Sequence, residues 1–203
     1  MRNRIMYFAT QARESYPYYQ HTDVGYNYRM SNVIAGVVRG QLPYLDEHIA
    51  KKRAIYERYK EGLKDLPLSM NSFDKENSNP NFWLSCLLID SDAMCKQVRS
   101  ENDTCYIQEE GRTCPTEILE ELAKINAECR PIWKPMHMQP IYRMNPFITK
   151  DGSGRAKTNA YISGENIDIG MDIFRRGLCL PSDIKMTEDE QAKVIEVIRS
   201  CFG

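Results

Sequence analysis

From residue 31 onward, apolar positions recur at helical spacing. Val33, Ile34, Val37 and Val38 fall on one side of a predicted helix. It begins at Ser31 or Asn32, residue types whose side chains cap a helix start. Ala35, Gly36 and Gly40 leave the other side with little bulk. That permits close approach by a neighbouring backbone, although glycine costs helix stability. Pro43 lacks the donor for a bond to Arg39, so the helix is expected to kink or restart there. A second helical run places Leu45, Ile49, Tyr56, Tyr59, Leu63 and Leu66 near one stripe. Lys51, Lys52, Arg53, Glu57, Arg58, Lys60 and Glu61 fill much of the rest, as a solvated face does, and Pro67 ends the run.

Beyond a polar loop at 69–81, residues 82–89 read as a largely buried strand. A short helix is predicted from Asp90 or Ser91 to about Arg99, then a polar, irregular stretch over 100–112 in which Tyr106–Ile107 make a short strand. Cys114–Pro115 opens a helix, with Ile118, Leu119, Leu122 and Ile125 as its apolar face. A weak strand covers 128–133, and Pro135 and Pro140 frame a rigid Met136–Gln139 segment. Asp151–Gly154 reads as a turn, because no strand precedes it and no P-loop lysine follows. A helix is expected from Ile167 to Arg176 and a short strand or loop at Leu178–Leu180. Thr187 and Glu190 form a capping box before a last helix carrying Val194, Ile195, Val197 and Ile198. Residues 1–24 show no clean period, and their aromatic stretch Tyr16–Tyr19 would fray without a partner domain or subunit. Mixed strands and helices indicate an α/β or α+β fold.

Composition narrows the function classes. A 203-residue chain with 42% apolar residues, 27% charged residues and net charge −1 suits an ordinary soluble protein and gives no argument for a nucleic-acid partner. No apolar run approaches membrane-spanning length and no secretory signal is evident, so a cytoplasmic location is expected. The seven cysteines are scattered without a CxxC, which reads as reduced, packed thiols rather than a disulfide framework or zinc site. Twelve tyrosines suit a surface that buries rings against a partner.

Two constellations could carry chemistry. Asn27 and Arg29 stand at alternate positions before the Ser31 cap, where a helix start offers free backbone donors to an anion; structural hydrogen bonding of the loop is the competing reading. Arg130, Trp133, Lys134 and His137 sit close together in RPIWKPMH. The cations could receive phosphate or carboxylate and His137 a sugar hydroxyl or cofactor ring, or they could be a structural pair, a solvated lysine and a satisfied histidine. No nucleophile–base motif or dense acidic metal cluster appears, and no lysine is marked by its local sequence for imine formation.

GYNYRMSNVIAGVVRGQLPYLD, with the helix around KKRAIYERY, closely resembles the DegT/DnrJ/EryC1/StrS family of sugar aminotransferases. RPIWKPMHMQPIY resembles a later motif of its nucleotide-sugar branch, and RRGLCLPSDIKMTEDEQ the family's terminal region, so the similarity spans nearly the whole chain. Pro43 is a departure within a region that is usually continuous. The resemblance implies the C-terminal region of the aspartate-aminotransferase (type I pyridoxal phosphate) fold, with the large cofactor-binding domain missing. Residues 1–30 would be an interface and active-site loop segment, 31–66 connecting helices and 67–203 a small C-terminal α/β domain. It further implies transfer of an amino group, usually from glutamate, to a nucleotide-linked keto-sugar, in a homodimer with its active site between subunits. Asn27 matches an asparagine that reaches the cofactor phosphate across that interface. Arg29 matches a neighbouring arginine that faces the substrate side. Arg130, Lys134, His137 and Tyr142 match a nucleotide-sugar contact region. The family's cofactor-bearing lysine precedes the match. The chain is therefore expected to be inactive alone, not to bind pyridoxal phosphate covalently, and to need an N-terminal large domain or split subunit. The alternative class is a non-catalytic binding or assembly domain recognising a nucleotide-sugar or a partner protein.

Overall fold

A computed structural model describes residues 1–99, 103–142, 144–146, 148–149, 152, 154 and 168–203. Two compact units divide the chain, Met1–Glu47 and His48–Gly203.

The first unit holds α1 (Arg2–Ala9) and α2 (Asn32–Gln41). Ser31 caps α2 by accepting a hydrogen bond from the Ile34 backbone N–H. At Pro43 the chain tightens into a 3-10 turn, Leu42–Tyr44, and restarts as α3 (Leu45–Gly62), as the missing proline donor requires. The amino-terminal stretch is more ordered than its lack of period predicts. Its backbone is pinned by Tyr26 N–H to Phe8 C=O, Tyr28 N–H to Ala9 C=O and Gln11 N–H to Tyr26 C=O.

The second unit is built on a four-stranded sheet, β1 (Leu68–Met70), β2 (Cys86–Ile89), β6 (Gly177–Cys179) and β5 (Arg130–Pro131), in the order β1-β2-β6-β5 with every pairing antiparallel. A separate ribbon joins β3 (Lys96–Arg99) to β4 (Thr104–Ile107). The helices are α3, α4 (Pro115–Lys124), α5 (Ile169–Arg176) and α6 (Glu188–Ser200). Alternation along the strands sends Leu87, Ile89 and Leu178 into the core. There they meet Ile55, Tyr59 and Leu63 of α3, Ile118 and Leu122 of α4, and Val194 and Ile198 of α6. Gln191 of α6 is buried among them; its amide donates to the Ile55 carbonyl at 2.8 Å and accepts from Arg58 Nε at 2.5 Å.

The predicted helix over 91–99 is instead a single 3-10 turn, Ser91–Ala93, followed by β3. Lys96–Arg99 have a partner strand eight residues on, and cross-strand pairing overrides a weak local helical pattern there. β1 overlaps the start of the loop expected over 69–81, and β2 begins four residues later than the predicted strand. The capping box of α6 forms with both hydrogen bonds present. Residues 151, 153 and 167, on which the predicted turn and the start of the predicted helix fall, lie outside the described residues. Among the described residues no helix is long and apolar enough to cross a membrane, and no group of three metal-ligating side chains converges.

Candidate functional site

In the first unit, the local backbone explains why a glycine leads the loop. A Cβ on Gly25 would lie 2.2 Å from the Ala12 amide nitrogen, far inside contact distance. That crossing is reached through Gln11 and Ala12, whose φ values of 69° and 49° are left-handed. The strand-like run that follows bridges Asn27 to Thr10. Alternate side chains of such a run leave on opposite sides. Tyr26 and Tyr28 stack with ring centroids 5.1 Å apart, which puts Asn27 and Arg29 on the other side. Both side chains are exposed and make no hydrogen bond to another described residue. The Ser31 cap satisfies Ile34 N–H, so the first amides of α2 remain available to a bound anion. Along α2 the apolar face is open: Val33, Ile34, Val37 and Val38 are each more than half exposed.

In the second unit, β5 is the sheet edge that carries Arg130, whose guanidinium pairs with Glu128 at 2.6 Å in an exposed ion pair. Trp133 follows and packs against Trp83 with ring centroids 5.9 Å apart. Arg130, Trp133 and Trp83 line one cavity of about 320 Å³ together with Cys179 and Ser182. That volume lies within the range of small-molecule sites. Lys134, half-buried, continues the chain, and its carbonyl accepts from the Gln139 amide at 3.4 Å. Pro135 then turns the chain into the 3-10 segment Met136–Met138. His137 Nε2 lies 2.6 Å from Asp168 Oδ2, and both side chains are largely buried. The other Asp168 oxygen accepts from Met171 N–H and caps α5. One carboxylate therefore both starts a helix and fixes the imidazole. Tyr142 closes the next turn, Pro140–Tyr142, half-buried.

The structure thus gathers Arg130 with Trp133 at one cavity; Lys134 directly follows Trp133, and His137 and Tyr142 sit on the two turns beyond it, none of the three in the cavity lining. Asn27 and Arg29 belong to the other unit. Sequence reasoning missed Trp83 and Asp168. Asp168 had a usable signal, since aspartate directly before a helix is a preferred cap; Trp83 had none, because its partner is 50 positions away.

Lys52, on α3, is half-buried. Burial pulls its ammonium below the ordinary lysine value, and it donates to the carbonyls of Trp83 and Ser182. Its hydrogens are committed to tying α3 to the loops beside the sheet, which is a structural role.

A model of the DegT/DnrJ/EryC1/StrS aminotransferase family matches residues 2–199. EpsN of Bacillus subtilis (strain 168), described as a pyridoxal phosphate-dependent aminotransferase, is 36% identical over 199 residues, covering 98% of this chain and 43% of EpsN. GDP-perosamine synthase of Escherichia coli O157:H7 is 26% identical, with 99% of this chain and 44% of that protein aligned. Among solved structures, Spr1654 of Streptococcus pneumoniae in its PLP form superposes with a TM-score of 0.71 at 16% identity, over 98% of this chain and 43% of that one. Helicobacter pylori PseC, an aminotransferase of pseudoaminic acid biosynthesis, gives 0.69 at 14% identity, over 98% and 45%. The chain spans less than half the length of the curated relatives it matches.

Proposed function

Because the chain belongs to the DegT/DnrJ/EryC1/StrS aminotransferase family, we propose that it forms part of a cytoplasmic, pyridoxal phosphate-dependent enzyme that moves an amino group from glutamate to a nucleotide-linked keto-sugar. Its mixed α/β architecture is part of the fold of those aminotransferases. The family match over residues 2–199 is the observation that carries the reading. Relatives named for GDP-perosamine synthesis support a sugar substrate carried on a nucleotide.

The residues present fit one part of the cofactor. An amide and a guanidinium without a hydrogen-bond partner among the described residues, beside an open helix start, suit its phosphate. Asn27 would donate its amide hydrogens to that phosphate, and Arg29 would support the loop and face the substrate. Pyridoxal phosphate, when bound, supplies an aldehyde that takes up the amino group and a ring that delocalises the electrons released at the adjacent carbon. Covalent attachment of the cofactor would fall to a lysine of the remaining portion of the enzyme, a reading supported by the chain's covering 43% of EpsN. Arg130 and Lys134 would receive the nucleotide's phosphates, and His137, held by Asp168, and Tyr142 would orient the sugar-nucleotide. The remaining portion of the enzyme, as a further domain or a separate subunit, and a second copy of the assembly would complete the centre.

The test is glutamate-dependent amination of a nucleotide-linked keto-sugar, followed as formation of 2-oxoglutarate. Residues 1–203 alone are expected to give none. Addition of the complementary half of a relative such as EpsN is expected to give a complex and turnover, and Asn27→Ala to weaken cofactor retention by roughly tenfold. Turnover by residues 1–203 alone, or no complex and no turnover with the added half, would overturn the reading. The exposed apolar face of α2 favours a second reading, in which the chain is a non-catalytic assembly module. A complex that forms without turnover would favour it.

A further inference from the structure

The two central strands of the sheet place a pair of thiols directly opposite one another. Cys86 on β2 is the register partner of Cys179 on β6, and their sulfurs lie 3.7 Å apart. The ladder bonds define the kind of pair. Leu180 N–H donates to the Ser85 carbonyl at 2.8 Å, whereas the Cys86 amide and carbonyl are both turned the other way, to Asn71. Cys86 and Cys179 are therefore a non-hydrogen-bonded pair, in which Cα atoms approach to roughly 4.5 Å. That separation falls inside the range of about 4.4–6.8 Å that a disulfide spans without backbone movement. The thiols stand on the sheet face away from the core, in one row with Arg130, the register partner of Cys179 on its other side.

From this geometry we propose that Cys86 and Cys179 form a reversible thiol–disulfide site, oxidised by a low-molecular-weight disulfide such as oxidised glutathione, which closes a covalent clamp across β2 and β6. Cys179 is the attacking sulfur. It lines the cavity beneath Trp83 and Trp133, and the Cys86 thiol donates a hydrogen bond to it. That bond holds Cys179 below the ordinary thiol value and Cys86 above it. In the first step the Cys179 thiolate attacks one sulfur of the oxidant. A new S–S bond forms, the oxidant's own S–S bond breaks, and one small thiolate leaves and takes the proton released by Cys179. In the second step Cys86 loses its proton and attacks the Cys179 sulfur, expelling the second small thiol. Two protein thiols are oxidised to one disulfide and one external disulfide is reduced to two thiols. As attacking sulfurs Cys95, Cys129 and Cys201 are poorer than Cys179, because burial pushes each up to about 12.

The chain carrying Cys105→Ser, which removes the exposed thiol, is equilibrated in glutathione buffers of graded ratio, acid-quenched, alkylated and peptide-mapped. The intact mass should fall by two hydrogens, with one cross-linked peptide pair joining Cys86 to Cys179, restored by dithiothreitol. The melting temperature of the oxidised form should rise by about 5 °C or more. Cys86→Ser should trap glutathione on Cys179, and Cys179→Ser should lower capture at Cys86 by about tenfold relative to that. A dominant link between other cysteines, or no loss of hydrogens in a buffer that oxidises the unfolded chain, would overturn the proposal. If either serine variant fails to fold, the map of the Cys105→Ser chain decides alone.

Discussion

Asp65 and Arg199 meet through two hydrogen bonds of 2.6 Å, a forked pair between the end of α3 and the end of α6. The Arg199 guanidinium holds the Asp65 carboxyl down to about 2, against its usual 3.8. A depressed folded-state value means that its contribution to stability is complete above the unfolded value. It is lost as pH falls from near 4 through about 2. The carboxyl is exposed, so the effect on overall stability is small and salt-sensitive. NMR titration should give Asp65 a midpoint near 2, and Arg199→Leu should return it to the ordinary carboxylate range. Legibility at this scale follows sequence distance. Thr187 and Glu190 were readable as a cap because both partners lie in one turn. Asp168 and His137 are 31 positions apart, and nothing local in RPIWKPMH shows that a carboxylate will hold that ring. Arg130 in sequence suits either a ligand anion or a structural pair, and in the fold it meets Glu128, two positions away.

Between elements, one polar side chain pins α3 to α6. Gln191 is almost wholly buried, and its amide serves Ile55 and Arg58 on the facing helix. Gln191→Ala removes both bonds inside the core and should cost about 1–3 kcal/mol, read from urea unfolding with an unchanged m-value. Leu122→Ala, in the last turn of α4, should cost about 2–5 kcal/mol in the same measurement, because its side chain is fully buried among α3, α6 and the sheet. Long amphipathic helices were visible as periods: α3, α4 and α6 lie close to where their apolar stripes predict. The strands were less so. β1 and β3 span three and four residues, too few for an alternation to repeat, and β1 pairs with β2 and β3 with β4 without a local signal for either ladder, whereas β5 falls inside the weak strand expected over 128–133.

For the molecule as a whole, the buried apolar cluster draws every member from residues 55–202. A polypeptide of residues 45–203 should therefore still unfold cooperatively, with a midpoint within about 3 °C of that of the whole chain by calorimetry. A broad or non-cooperative transition would show that residues 1–44 are needed for the second unit to fold. The strand order also bears on how the protein is made. β6 lies between β2 and β5, yet 46 positions of chain separate it from β5 and still more from β2. As the polypeptide leaves the ribosome, β1 and β2 emerge early with an open edge, and β5 has no neighbour to join. Contacts of such long sequence separation form slowly. The nascent chain must hold its apolar strand faces uncommitted until residues 177–179 clear the exit tunnel, which makes this interval of synthesis the one in which a chaperone has most to protect.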